Sequence, residues 1–216
     1  MTDSKIEPIS DTQLEWLEES VSSWSTALTD EVFDYYTEER GLEYETVAKF
    51  RLGVVATPPP GRDYLQGWLS IPYLGNDGAP WKVRFRRPPR SNSEAKYLDL
   101  PNWGPRMFNV RAIHEAVVGS DSISVCEGEY DAMILEQIGL HAVAIPGFKA
   151  WRPHHRRMLA GFSRAWVWAD NDESGQALAD TILASMRQAR QVQLACSDVT
   201  ETFIQEGAEC LLNALT

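Results

Sequence analysis

Two stretches decide the fold: Val125–Ala132, VCEGEYDA, and Trp168–Gly175, WADNDESG. In the first, apolar ISVC leads straight into Glu127-Gly128 and then into a helical pattern. In the second, RAWVWA leads into Asp170-Asn171-Asp172, with Gly175 opening the next helix. Each predicts a buried strand delivering carboxylates at its C-terminal end, where open α/β sheets place their ligands. Side chains alternate along an extended segment, so Asp170 and Asp172 are expected on one side, facing one cation cluster. Hard oxygen donors of this kind suit Mg²⁺ or Mn²⁺ rather than zinc.

The chain has 216 residues, 44% of them hydrophobic, enough for one sizeable domain or two small ones. It contains no long apolar run, and its start, MTDSKIEPIS, lacks a charged region followed by an apolar core. A soluble, unexported, cytoplasmic protein with no membrane partner is expected. Cys126, Cys196 and Cys210 are far apart and odd in number, which suits neither a disulfide framework nor a zinc ribbon. The net charge of −11 is unevenly spread: residues 1–50 hold 13 acids against 3 bases, residues 51–150 hold 10 against 11, and residues 151–216 hold 8 against 6. Within the middle part, Lys82, Arg84, Arg86, Arg87, Arg90 and Lys96 face Glu94 alone, a density that a phosphate backbone would feel.

Coarse patterning orders the rest. Residues 1–28 are an acidic helix or arm, with Trp16 and Trp24 on one sticky face. Residues 29–119 form a mixed module. It opens with two helices broken at Gly41 and capped at Thr29 or Asp30, and continues through a TPPPG loop to two strands, GWLSIPYL and APWKVRFR, turned by GNDG. Residues 120–216 alternate strand and helix: strands near 122–126, 141–145, 165–169 and 191–195; helices near 130–138, 153–159 and 175–188; and a final helix. The predicted class is α/β, a mostly parallel sheet with flanking helices, preceded by a smaller α+β module.

The two acidic segments resemble the TOPRIM domain of bacterial and phage primases and topoisomerases, and the whole is similar to a DnaG-type primase catalytic core. The family pattern is a strand ending in Glu-Gly with an Asp four positions after the Glu, then a strand ending in Asp-x-Asp with a following Gly. Glu127, Gly128, Asp131, Asp170, Asp172 and Gly175 fill it. A late acid past a strand is supplied by Asp198, with Thr200 where bacterial members often carry a second Asp. RGLEYETVAKFRLG, the arginine-rich hairpin, EAKYLDLP and MFNVRAI, read as a short link into the catalytic strand, resemble the segments that precede TOPRIM in primases. Trp68 stands where a basic residue is usual, and Asp99 where Asn is usual. The family's zinc-binding and helicase-interaction modules have no counterpart, so the implied form is a minimal core such as phages and mobile elements encode.

The resemblance implies short RNA primer synthesis on a single-stranded DNA template from NTPs. A replicative helicase or a zinc-module protein acting in trans is the implied partner. Nucleotidyl transfer builds charge on attacking and leaving oxygens, which divalent cations offset. Asp170, Asp172, Asp198 and Asp131 are the expected ligands. Glu127 binds metal or acts as general base, its pKa raised by neighbouring carboxylates. Lys82, Arg84, Arg86 and Lys96 are the expected nucleic-acid or nucleotide contacts. Competing readings stand beside each. Asp172, Asp131 and Asp198 can simply cap helices, Asp198 in a capping box with Glu201. The basic strand can be a solvated edge, and Arg152 to Arg157 a solvated helix face. The same acids would serve a metal-dependent TOPRIM nuclease, and a non-catalytic single-strand or replisome-binding module is the third function class.

Overall fold

Ser10 starts the first helix: its hydroxyl accepts the N–H of Gln13, and the Gln13 side chain accepts the N–H of Ser10 (2.9 Å), a reciprocal cap. That helix is α1, Asp11–Thr26, in a computed structural model that describes residues 9–101, 106–147 and 149–215. Residues 1–8 of the expected arm lie outside the described residues. The sticky face is real: Leu17, Val21 and Trp24 are buried, and Trp16 meets Trp24 edge-on at 6.2 Å. These side chains pack with Val55, Leu65, Trp68, Val83 and Phe85, so α1 is part of a core.

Thr29 caps α2 (Asp30–Asp34) by accepting the N–H of Val32 (3.4 Å). A π-helical turn over Tyr35–Glu39 and α3 (Tyr44–Lys49) follow, on either side of the expected break at Gly41. Next comes an antiparallel sheet in the order β1 (Gly53–Val54), β2 (Leu69–Leu74), β3 (Pro80–Arg86) and β4 (Tyr97–Asp99). The β2–β3 pair is the expected hairpin around GNDG. β1 and β4 are too short to register as hydrophobic alternation, and they gain their ladder bonds only from longer neighbours.

The second sheet holds both acidic segments. It is built from β5 (Ser122–Cys126), β6 (Ala142–Ala144), β7 (Arg164–Trp168) and β8 (Ala189–Gln191), ordered β6-β5-β7-β8 with every pair parallel. The helices are α4 (Arg111–Gly119), α5 (Glu129–Gln137), α6 (Pro153–Leu159), α7 (Glu173–Ser185), α8 (Val199–Glu206) and α9 (Ala208–Asn213). Ile123, Val125, Val143, Ala165 and Val167 from the strands close over Leu159, Leu178 and Ile182 from the helices. The α/β class with a parallel sheet and flanking helices is therefore the observed one.

Three local expectations change. The last strand ends at Gln191, because Val192 makes the final bond to Val167 (2.9 Å) and the carbonyls of Leu194 and Cys196 turn to accept from Asn171. The final helix is broken in two at Gly207. The link expected over 107–113 becomes α4 from Arg111, with Ala112 and Ala116 buried.

Two compact units emerge, one from Met1–Tyr35 with Val47–Gly104 and one from Tyr36–Thr46 with Pro105–Thr216. No described helix is long and apolar enough to cross a membrane.

Candidate metal centre

Cys126 of β5 pairs with Trp168 of β7. The acidic segments thus leave adjacent central strands at the same, C-terminal edge of the parallel sheet. Glu127 follows β5 directly and Asp170 lies two residues past β7. Asp170 marks the centre. Burial pushes its carboxyl up to about 8, helped by the charges of Asp131, Glu127, Asp198 and Asp172. The charges of the four other acids singled out from the sequence are therefore all felt at Asp170.

Each is fixed differently. Glu127 Oε1 accepts from the Ser174 hydroxyl at 3.1 Å. Asp131 is buried in the first turn of α5; its Oδ1 accepts from the Thr200 backbone N–H (3.0 Å) and hydroxyl (2.7 Å). Burial first, then the charge of Asp198, raises Asp131 to about 6, against the pull of those two bonds. Asp172 caps α7, its Oδ1 accepting the N–H of Gly175 at 2.8 Å. Asp198 caps α8 in the same way, through the N–H of Glu201 at 2.6 Å. The expected capping box is not completed, because the Glu201 carboxylate binds the N–H and hydroxyl of Ser197.

Two glycines are set by close approach. A Cβ on Gly175 would collide with the backbone of Asp170, and one on Gly128 with the Asp131 carboxylate. Asn171, Ser174 and Thr200 are positioning residues that the sequence reading did not single out. The Asn171 N–H donates to Ser197 O (2.7 Å) and its side-chain amide to the carbonyls of Leu194 (3.3 Å) and Cys196 (2.5 Å), tying the loop of Asp170 to the loop of Asp198. An Asn between two Asp was the available signal.

A charge-dense set of carboxyls, one held protonated near neutrality by burial and then by its neighbours, is the electrostatic demand that a divalent cation meets. The caps occupy one oxygen each of Asp172 and Asp198. The donor chemistry thus fits Mg²⁺ or Mn²⁺. Cys126 stays out of this chemistry, because burial and the surrounding carboxylates hold its thiol well above the ordinary value.

Other titratable groups lie elsewhere. Glu115, Glu136 and His141 bring donor atoms within 4.8 Å of one another. The Arg111 guanidinium, lowered by burial, feels both glutamates, so this group is a charge-compensated ion cluster. On α6, His155 is buried rather than solvated, and burial pulls it down to about 4, leaving a neutral ring whose Nδ1 accepts from the Arg152 N–H (3.3 Å). A 540 Å³ depression lined by Arg156, Arg187 and Gln188 lies by the N-terminal end of β7, the edge opposite the acids.

In the other unit the basic strand β3 is anchored more firmly than a solvated edge. Lys82 and Arg86 are buried and Arg84 is partly so. Lys82 pairs with Asp99 at 2.7 Å, and Arg84 stacks over the Tyr97 ring at 4.2 Å. Arg86 donates to the hydroxyls of Tyr35 (2.8 Å) and Tyr97. Lys96 is exposed, its Nζ 5.9 Å from the Tyr97 ring centre.

Comparison with known proteins agrees with this architecture. Residues 124–202 match the Toprim-like family model. The Gene 57 protein of Mycobacterium phage D29 is 29% identical over 157 residues, covering 69% of this chain and 99% of that protein. The RNA polymerase domain of Mycobacterium tuberculosis primase DnaG superposes with a TM-score of 0.77 at 21% identity, covering 95% of this chain and 83% of that one. A DnaG primase catalytic domain bound to single-stranded DNA gives 0.71 at 19% identity, covering 94% and 79%. Residues 124–202 are thus similar to Toprim-like domains, and the chain has the fold of the DnaG primase catalytic core.

Proposed function

We propose that this chain is a DNA primase catalytic core, a nucleotidyltransferase that synthesises short RNA primers on single-stranded DNA with Mg²⁺ or Mn²⁺. The observation that carries this is the gathering of Glu127, Asp131, Asp172 and Asp198 close enough to Asp170 for their charges to raise its pKa, past the C-terminal edge of a parallel sheet. Asp170, Asp172 and Asp198 would hold the cations, with Asp131 beside them. A divalent cation bound there supplies Lewis acidity toward the attacking 3′-hydroxyl and charge neutralisation for the triphosphate. Glu127, steadied by Ser174, either joins the ligands or accepts the 3′-hydroxyl proton. Asn171 keeps the two metal-binding loops in register.

Exposed Lys96 and partly exposed Arg84, backed by buried Lys82 and Arg86, would supply the positive charge for template or nucleotide phosphates, with Tyr97 as an aromatic platform for them. The DnaG catalytic domain bound to single-stranded DNA supports a nucleic-acid template as the partner. A replicative helicase or a zinc-module protein acting in trans is the proposed protein partner.

The test is de novo synthesis on a mixed-sequence single-stranded template with labelled NTPs and Mg²⁺ or Mn²⁺. Wild type is compared with an Asp170→Asn/Asp172→Asn variant. Short oligomers from wild type alone are the expected result. Metal-dependent loss of the template without product would replace this reading with a nuclease.

A further inference from the structure

We propose that Asp99 is a built-in rival of the nucleic-acid backbone, a carboxylate seated in a phosphate position on the basic face of β3, where it weakens binding of single strands. The inference rests on the proposed role of that face in binding the template, and deepens it.

The geometry is specific. Asp99 closes β4 and pairs directly across from Arg84, and Lys82 lies two residues along on the same face of β3. One carboxylate oxygen, Oδ1, sits 2.7 Å from Lys82 Nζ, and the other, Oδ2, 3.6 Å from Arg84 Nε. One acid thus gives one oxygen to each of two cations, as the two non-bridging oxygens of a phosphodiester would.

The cations cannot turn away. The Lys82 side chain is only 3% exposed and its ammonium lies 4.9 Å from the Tyr73 ring centre; Arg84, at 17%, is stacked on Tyr97. Asp99 is different, with 42% of its side chain in solvent at the end of a three-residue strand. The arrangement is a nearly buried cationic-aromatic floor covered by a solvent-facing anion. The carboxylate offsets the charge of a nearly buried ammonium, and an anion placed here alters what the floor offers to a polyanion. A strand approaching Lys82 and Arg84 must displace the carboxylate or share its cations.

The consequence is measurable. Each phosphate neutralised on a single strand adds about 0.7 to the slope of log affinity against log salt. If Asp99→Asn makes one further cation available, binding should tighten about fivefold at roughly 0.1 M salt and converge with wild type near about 1 M. The probe is a fluorescently labelled oligo-thymidylate, which carries phosphates and needs no catalysis. The full-length wild type, Asp99→Asn and Arg84→Gln are titrated by anisotropy across salt, with circular dichroism confirming that each variant is folded.

Tighter binding and a steeper salt slope for Asp99→Asn, with weaker binding for Arg84→Gln, is the expected result. Should Arg84→Gln weaken binding while Asp99→Asn leaves it unchanged or weaker, the face binds nucleic acid but Asp99 does not compete there, and this inference fails alone. If neither variant changes binding, the face is not the template surface and both readings fall.

Discussion

Replacing Asp170 by Asn should make the metal-free protein more stable, and increasingly so as pH rises. In an unfolded chain an aspartate titrates near about 4; here burial and four neighbouring carboxyls hold Asp170 at about 8. Between those values the folded protein keeps a proton that the unfolded chain has lost. Stability from this group is therefore present at low pH and is lost as pH climbs through the folded value. The limiting slope is about 1.4 kcal/mol per pH unit, which without screening gives nearly 3 kcal/mol between about pH 6 and pH 9. Asp170 is partly open to solvent, so screening reduces this to about 1 kcal/mol, or roughly 2–4 °C in Tm for a chain of this size.

Asparagine has the same shape and no charge to lose. The Gly175 contact is with the Asp170 backbone and survives the change. Thermal melts of wild type, Asp170→Asn and the exposed control Asp180→Asn, run in chelator across that pH range, isolate the effect, because groups common to all three cancel in the differences. The Asp170→Asn advantage should grow with pH, and Mg²⁺ should restore wild type while adding little to the variant. A difference independent of pH, or a variant that falls behind wild type at the alkaline end, would refute the electrostatic account of the centre.

The supporting residues make separate predictions. Thr200→Val removes a 2.7 Å hydroxyl bond from buried Asp131, which sits at about 6. The loss should be about 1–3 kcal/mol where Asp131 is ionised and smaller below its pKa, so denaturant melts should show a larger deficit at alkaline than at acid pH; a deficit that does not grow would remove Asp131 from the coupled set. Asn171→Ala cuts the side-chain tie to the carbonyls of Leu194 and Cys196. It should weaken Mg²⁺ binding by about tenfold, read by calorimetry, at a cost of only about 1 kcal/mol in stability. An unchanged Mg²⁺ affinity would mean the two loops keep their register without it.

What the sequence made legible was whatever one segment could encode locally. The β5 and β7 strands, the helices after them and the five acids are each written in a short window where an apolar run meets charged residues. The parallel sheet followed from their alternation. The positioning residues were not legible, because their role is a pairing across distance: Thr200 serves Asp131, and Asn171 serves carbonyls of Leu194 and Cys196. The same holds for β3. Its alternation put Lys82, Arg84 and Arg86 on one face, but their burial came from Tyr35, Tyr73, Tyr97 and Asp99, residues that only the folded sheet assembles.

Capping and metal binding look like rival explanations of Asp172 and Asp198 when only the sequence is considered. The geometry makes them one device. In each, Oδ1 is committed to the N–H of the third residue on, which orients the carboxyl plane along the start of a helix. The other oxygen belongs to the same oriented carboxyl, and the charges of both acids are felt at Asp170. A cap thus removes the rotational freedom that a free aspartate would lose on binding a cation. Asp170 caps nothing among the described residues; burial first, and then the charges of the four other acids, raise its pKa. The two capping acids are therefore held in fixed orientation around Asp170, whose raised pKa leaves it protonated near neutrality, and a cation bound among them would offset the negative charge gathered there.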